Sequence, residues 1–463
     1  MRFNFLNFAF ALSVIHTGIA VPIETRHAIY MRSGDSSSPI APKVFIIDMY
    51  GPEGDAWHNI PEFDVLAQNI TVPGLSPIFP RVHCTAVGDI CQLVTGEAGM
   101  CDLQYSLTTS KVWHILSFVP YSEINAANTI AAIVHSPKFD LTNTYFLIAG
   151  IAGVAPTVAT IGSVTFARYA VSVALQYEID AREIPENFTT GYFPQGTSFP
   201  YTYPPELYGT EVFEVSDSLR SLAIGFAKTA TLADSKAAQA YRANYASTPA
   251  YKPGSEPPAI VACDTATSDV YFTGALLSET FDKYTRLFTN GTGIYCTTEQ
   301  EDTATLESLL RAAVTGLVDF SRIIVMRTAS DFDRPYAGQS ILDNLEYGFQ
   351  GFEPSIHNIY RAGVKVVEGI VNGWKTTFEN GVKPSNYIGD IWGTLGGQPD
   401  FGPGSIFGGN GEKVVGKRSL KDWRRERAGA LKARSEVEVE VEKREEAKEE
   451  GEGLAALPLV INS

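Results

Sequence analysis

Three acidic residues stand where apolar runs give way to polar sequence. Asp331 closes the run Ile323-Ile324-Val325-Met326-Arg327-Thr328-Ala329-Ser330-Asp331, and Glu53 follows Val44-Phe45-Ile46-Ile47 within Met49-Tyr50-Gly51-Pro52-Glu53-Gly54. Glu301 sits in Thr298-Glu299-Gln300-Glu301-Asp302-Thr303-Ala304, ahead of a helical pattern. An ionised carboxylate only accepts hydrogen bonds and can grip two hydroxyls at once, whereas one kept protonated by a pocket that raises its pKa can act as a general acid. Simpler roles compete: a turn or helix cap for Asp331, and for Glu301 an exposed acid favoured by the helix dipole. Gly150, Ile151, Ala152 and Gly153 follow another apolar run, where small residues let backbone approach a ligand or simply form a tight turn. Tyr271 and Phe272, after Thr267-Ser268-Asp269, could stack on a ligand or belong to the core.

Positioning these groups requires an α/β scaffold. Short continuous apolar runs at Val44 to Ile47, Thr144 to Ala149, Gly162 to Phe166, Ala259 to Ala262 and Arg322 to Met326 read as strands buried on both faces. Helical patterns run over Ile124 to Val134, Asp217 to Tyr245 with Ser216 as cap, Thr303 to Leu317, and Ile356 to Phe378. The alternation predicts a sheet covered by helices on both sides, with ligands at strand C-termini. The stretch from Glu186 to Tyr208, crowded with Tyr, Phe, Pro and Gly, reads as an ordered excursion able to close over a pocket.

The chain has 463 residues, 44% hydrophobic and 19% charged, with a formal net charge of -16. That charge argues against a nucleic-acid partner, whose binding is driven by Lys and Arg displacing counterions. Residues 1–20 read as a signal peptide ending at Gly18-Ile19-Ala20, and residues 21–42 as a loose N-terminal arm. Asn69, Asn187 and Asn290 begin glycosylation sequons. The uncharged run Leu141 to Ala167 is interrupted by Gly150, Gly153, Pro156 and Gly162, which suits two buried strands better than a membrane span. The expected location is therefore the secretory pathway, extracellular or at the cell surface. Residues 401–463, Gly-rich and then charge-dense, read as a disordered tail. Cysteine spacing and the scattered His residues give no zinc pattern, and neither metal nor cofactor is expected.

Taken with Thr160-Ile161-Gly162-Ser163-Val164-Thr165-Phe166-Ala167-Arg168-Tyr169 and Tyr177-Glu178-Ile179-Asp180-Ala181-Arg182-Glu183, the Leu147 to Pro156 run resembles the fungal purine nucleoside permease family across residues 43–400. The first run is also similar to bacterial methylthioadenosine nucleosidases and purine nucleoside phosphorylases. The resemblance implies a single three-layer, nucleoside-phosphorylase-like domain with a mixed central sheet flanked by helices. It implies that Glu301 accepts the ribose hydroxyls, with Gln300 in place of the usual Met, and that Asp331 is the general acid at purine N7. Tyr271 and Phe272 fall beside the base, Glu53 where hydrolytic relatives place a water-activating acid, and Gly96 in the motif near the ribose. No Arg or Lys in the Gly-rich segments demands a phosphate pocket, so hydrolysis or binding is preferred over phosphorolysis.

One departure matters. The family motif is split, with Thr95-Gly96-Glu97-Ala98 separated from Glu123-Ile124-Asn125-Ala126-Ala127 by residues 99–122, which read as a retained intron or an insertion. Their removal also removes Cys101, leaving an even set that we pair as Cys84 with Cys91 and Cys263 with Cys296. The expected function is recognition and uptake of a purine nucleoside of adenosine or guanosine type. A secreted nucleosidase or phosphorylase, and a storage or binding protein, are the alternatives. Phosphate as co-ligand, a membrane partner and homo-oligomerisation stay open.

Overall fold

The structure, a computed structural model, describes residues 38–96 and 123–401. The signal peptide, most of the arm, residues 99–122 with Cys101, and the tail beyond Phe401 lie outside them. The domain begins slightly earlier than the sequence indicates. Ile40 bridges to Phe139 and packs on the core, so the last residues of the arm belong to the domain.

Fifteen strands and nine α-helices make up the described residues. The strands are β1 (Val44–Asp48), β2 (Gln68–Thr71), β3 (Arg81–Cys84), β4 (Ile90–Val94), β5 (Tyr145–Val154), β6 (Val164–Ala167), β7 (Tyr169–Ser172), β8 (Tyr177–Glu178), β9 (Tyr192–Phe193), β10 (Val212–Glu214), β11 (Ile260–Ala262), β12 (Asp264–Thr267), β13 (Tyr295–Glu299), β14 (Ile323–Phe332) and β15 (Gly389–Asp390). The helices are α1 (Gly51–Asp55), α2 (Glu123–Val134), α3 (Asp217–Ala227), α4 (Lys236–Arg242), α5 (Lys252–Ser255), α6 (Ala275–Phe288), α7 (Asp302–Val314), α8 (Ile341–Tyr347) and α9 (Phe352–Asn372).

Period-two alternation along β1, β5 and β14 sorts the core into layers. Phe45, Ile47, Phe146, Ile148, Ile323 and Val325 face α2 and α7, meeting Ile130, Ile133, Leu306 and Leu309. Val44, Ile46, Tyr145, Leu147, Ile324 and Met326 face α3 and α9, meeting Leu219, Ala223, Ile359 and Val367. These strands are apolar on both faces because helices cover both, giving the expected three layers around a mixed sheet. Burying each large side chain contributes about 1.5–3 kcal/mol.

The sheet closes on itself near β5. β5 pairs in parallel with β1 and β14 and antiparallel with β13. β14 pairs antiparallel with β6, which passes through Arg168 into β7, and β7 leads through β12 back to β13. Strand therefore follows strand around the upper half of β5, and polar groups there are enclosed by backbone.

Three differences from the sequence reading have local causes. The helix expected over Asp217 to Tyr245 is broken into α3 and α4, because Asn358 on α9 clamps the backbone of Ala233 and Ser235 caps a new start. The helix expected to reach Phe378 ends at Asn372 and passes into a wider π-turn over Trp374–Phe378. The Gly150 to Gly153 segment is strand rather than turn, paired with β14 throughout. The excursion after β8 forms a small β8–β9 pair, and its Tyr192 and Tyr201 pack on Phe281 and Tyr284 of α6. Disulfides join Cys84 to Cys91 across β3 and β4 and Cys263 to Cys296. Asn69 and Asn187 are exposed and Asn290 is half-exposed.

Candidate functional site

The centre of the site is a charged residue within the apolar β14 run. Arg327, on β14 and 2% exposed, donates through Nη2 to Asp302 Oδ1 at 2.5 Å and to Glu301 Oε2 at 3.3 Å, and Glu299 Oε2 lies 3.6 Å away. Its Nη1 donates to the Ile151 carbonyl at 3.1 Å. A guanidinium inside an apolar strand must be fully paired, and here three carboxylates and a carbonyl satisfy it. The signal was a charged residue within an apolar run, which demands partners but does not name them. The Arg327 guanidinium is thus engaged by protein groups on both of its terminal nitrogens.

The start of α7 arranges the acids. Glu299 ends β13 and accepts from the Glu301 and Asp302 backbone N–H groups at 2.7 Å each, while the hydroxyls of Thr265 and Thr267 donate to its other oxygen. This satisfies the first N–H groups of the helix and fixes Glu301 at its N-cap position. Arg327 holds Oε2 of Glu301, and among the described residues no donor bonds to Oε1. Burial pushes the Glu301 carboxyl up, Glu53 and Asp302 add to the rise, and Arg327 opposes it.

Glu53, on α1, is 1% exposed. One oxygen accepts from the N–H groups of Met49 and Tyr50 at 2.7 and 3.2 Å, the other from that of Ile151 at 2.7 Å. Burial raises its carboxyl to about 7 against the pull of Arg327. Gly150 is required beside it, since a Cβ there would meet Met49 Sδ at 2.7 Å, Arg327 Nη1 at 2.8 Å and Glu53 Oε1 at 2.9 Å. Backbone approach is thus the function of this glycine, although the close neighbours are protein atoms.

Asp331 lies at a bulge. The register with β5 shifts between Ala329 and Asp331, which sets Asp331 opposite Gly153 and leaves Ser330 unpaired. The Ser330 hydroxyl donates to Oδ1 at 2.6 Å and the Tyr271 hydroxyl to Oδ2 at 2.8 Å. Burial raises the Asp331 carboxyl, both hydroxyls lower it, and Asp333 raises it. A Cβ on Gly153 would lie 3.4 Å from Oδ2 and collide with Thr298.

Tyr271 is half-exposed and touches both Asp331 and the ring of Phe349. Phe272 packs edge-on against Phe281 in the cluster around α6, the core alternative for that position. Gln300 donates to the Asp269 carbonyl at 2.6 Å and so ties down the loop carrying Tyr271. The Gly96 N–H donates to the Met49 carbonyl at 2.9 Å, next to Glu53. Ile151 and Ala152 present backbone to Glu53, Arg327 and Ser330. β5 therefore brings Glu53, Glu301 and Asp331 to one stretch of strand. Two open cavities, of about 400 Å³ beside Lys228 and Pro258 and about 440 Å³ beside Tyr208 and Trp392, are lined by none of these acids.

Among the described residues there is no grouping of three or more His, Cys, Asp or Glu able to hold a metal ion, and no helix long and apolar enough to cross a membrane. The chain is similar to a solved 5′-methylthioadenosine/S-adenosylhomocysteine nucleosidase from Neisseria meningitidis in complex with methylthio-immucillin-A. That likeness has 13% identity and a TM-score of 0.39, covers 72% of this chain and 99% of that one, and says nothing of function. It is 44% identical over 375 residues to a purine nucleoside permease of Candida albicans, covering 79% of this chain and 84% of that protein. It is 38% identical over 347 residues to a probable purine nucleoside permease of Schizosaccharomyces pombe, covering 73% and 91%. The family profile described as purine nucleoside permease matches residues 41–109 and 101–383, the two pieces meeting within the 99–122 segment. With that match and those identities, the chain belongs to the purine nucleoside permease family.

Proposed function

We propose that the domain captures a purine nucleoside along the upper half of β5 and serves its uptake. Family membership supports the ligand class, and one observation carries the site: Glu301 has one oxygen fixed by Arg327 and the other unclaimed by any donor among the described residues. A pre-aligned carboxyl with one oxygen unclaimed suits a sugar hydroxyl, and Asp331, raised by burial, suits a base nitrogen. Glu53 borders the same stretch through Ile151. Tyr271 offers a ring face. We place the protein in the secretory pathway, glycosylated at Asn69, Asn187 and Asn290, with a membrane partner completing transport.

A second reading has its own support. Glu53 and Asp331 are both carboxyls whose pKa burial raises, which suits one to activate water and the other to protonate a departing base. That is N-glycosidic hydrolysis.

Purified protein titrated with adenosine, guanosine and inosine, with and without phosphate, tests both. Capture requires saturable binding that Glu301→Gln weakens. Hydrolysis requires phosphate-independent release of free base, abolished by Asp331→Asn. Absence of binding to all of these nucleosides would sink the proposal.

A further inference from the structure

The loop from Ser268 to Gly274 joins β12 to α6 and is fixed at both ends. Asp269 accepts through Oδ1 from the Glu123 N–H at 3.0 Å and through its carbonyl from Gln300 at 2.6 Å. At the far side the Thr273 hydroxyl and the Gly274 N–H both donate to the Asp333 carbonyl, and Asn344 donates to Thr273 at 2.7 Å. Between these anchors Val270 and Tyr271 are 56% and 49% exposed, yet the Tyr271 hydroxyl reaches inward to Asp331.

That bond has a chemical consequence. Oδ1 of Asp331 is taken by Ser330, and Oδ2 has the Tyr271 hydroxyl as donor, with the Gly153 backbone packed beside it. A ligand atom that is to bond with Oδ2 along the same lone pair needs the position the phenol occupies. We propose that Tyr271 is a latch: its hydroxyl competes with the ligand's base for Asp331 Oδ2, and binding exchanges one bond for the other. The proposal rests on the nucleoside reading of the site. It makes Tyr271 a positioning residue that lowers affinity through its hydroxyl while its ring remains available for stacking. It also predicts selectivity, because ligands lacking an atom able to bond Asp331 leave the latch shut.

The groups facing Asp331 fix the expected pH behaviour. Ser330 on β14 and Asp333 just past its end lie either side of it, Asp333 being paired with Arg334 and bonded by Tyr295, while Tyr241 and Tyr245 approach from α4 and the turn after it. The Tyr271 bond holds the Asp331 carboxyl down against burial. Removing the hydroxyl therefore raises it, and the protonated form persists to higher pH.

The test compares wild-type protein with Tyr271→Phe. Adenosine should bind the variant about tenfold more tightly, the scale of one lost hydrogen bond to a charged group. The alkaline limb of binding should move to higher pH, and carbon-13 carboxyl shifts of Asp331 without nucleoside should titrate later than in the wild type. Equal or weaker adenosine binding by Tyr271→Phe, with wild-type binding intact, overturns the latch and spares the nucleoside site. An unmoved Asp331 titration overturns it independently of any ligand. If neither protein binds adenosine, guanosine or inosine while the Asp331 shift is present, the nucleoside reading falls and the competition falls with it.

Discussion

The strand pair β5–β14 is two different materials joined end to end. From Phe146↔Ile323 to Ala149↔Met326 it is apolar on both faces and sandwiched between helices. From Gly150↔Arg327 to Val154↔Phe332 the same ladder continues, but it carries Arg327 opposite Gly150 and Asp331 opposite Gly153, with Ser330 unpaired at the bulge between them. Apart from that bulge the backbone pairing runs through both halves, so the main change lies in what the side chains must satisfy. The lower half is stabilised by removal of apolar area from water, which depends little on pH. The upper half is stabilised only while each buried charge has its partner.

Cutting each half separately gives the largest expected effects. Arg327→Met should cost about 3–5 kcal/mol at pH 8, because Glu299, Glu301 and Asp302 lose their buried cation. Phe146→Ala should cost a similar amount, about 3–5 kcal/mol, through a cavity in the apolar half. Denaturant unfolding at pH 5 and pH 8 separates the mechanisms. Without Arg327 the Glu299 and Glu301 carboxyls, already raised by burial, rise further and can be neutral at pH 5, so the loss should shrink there. The Phe146→Ala loss should be the same at both values, and equal pH dependence in the two variants would erase the distinction drawn between the halves.

The sequence displayed the two halves unequally, and for a physical reason. Val44 to Ile47, Thr144 to Ala149 and Arg322 to Met326 were legible as strands because burial on both faces writes a continuous apolar run. Gly150 to Gly153 looked like a turn, since glycine records only that a Cβ is forbidden. The atoms forbidding it, on Arg327, Glu53, Met49 and Thr298, come from four other elements or turns. Glu301 and Asp331 stood out through resemblance and strand position. Arg327 did not, because its partners on α7 are set by tertiary contact: Asp302 is 25 residues away in sequence. The break between α3 and α4 was invisible for the same reason, depending on Asn358 more than a hundred residues downstream.

A smaller cut within the upper half asks whether its charges serve stability or ligand. Glu301→Gln leaves Arg327 its bonds to Asp302, so stability should change by less than about 1 kcal/mol. Purine nucleoside affinity should fall by about tenfold to a hundredfold, the scale of a charge-assisted hydrogen bond. Isothermal titration alongside thermal unfolding reads both quantities. Loss of stability with no loss of affinity would make Glu301 a structural acid like Glu299.

At the lower edge of the upper half sits Asp48, bonded by Trp57 at 3.0 Å and Gln92 at 2.7 Å and raised by burial to about 7. A carboxyl raised on folding contributes stability that is complete below its unfolded pKa and is lost as pH rises through the folded value. Between pH 4 and pH 7, Asp48 should therefore contribute a stability slope of up to about 1.4 kcal/mol per pH unit, downward with rising pH. Asp48→Asn should be less stable at low pH, with one donor facing another, but should lose this slope. A variant retaining the full slope would assign it to Glu53, whose carboxyl is raised to the same value.

The smallest expected effect comes from the longest change in sequence. Deleting residues 99–122 joins Ala98 to Glu123 and leaves two residues, Glu97 and Ala98, between Gly96 and Glu123. Three Cα steps reach at most about 11 Å. The family profile is broken at this point, its pieces meeting at 101–109, and the flanks are fixed by the Gly96 bond to Met49 and the Glu123 bond to Asp269. If the segment is foreign to the working protein, the shortened chain should match the full chain within about 1 kcal/mol, since loop length changes closure entropy only slowly. It should bind nucleoside at least as well, because Glu123 and Asp269 anchor the loop that carries Tyr271. A deletion that unfolds the protein, or a mature transcript that encodes these residues, would show that the segment belongs to the domain.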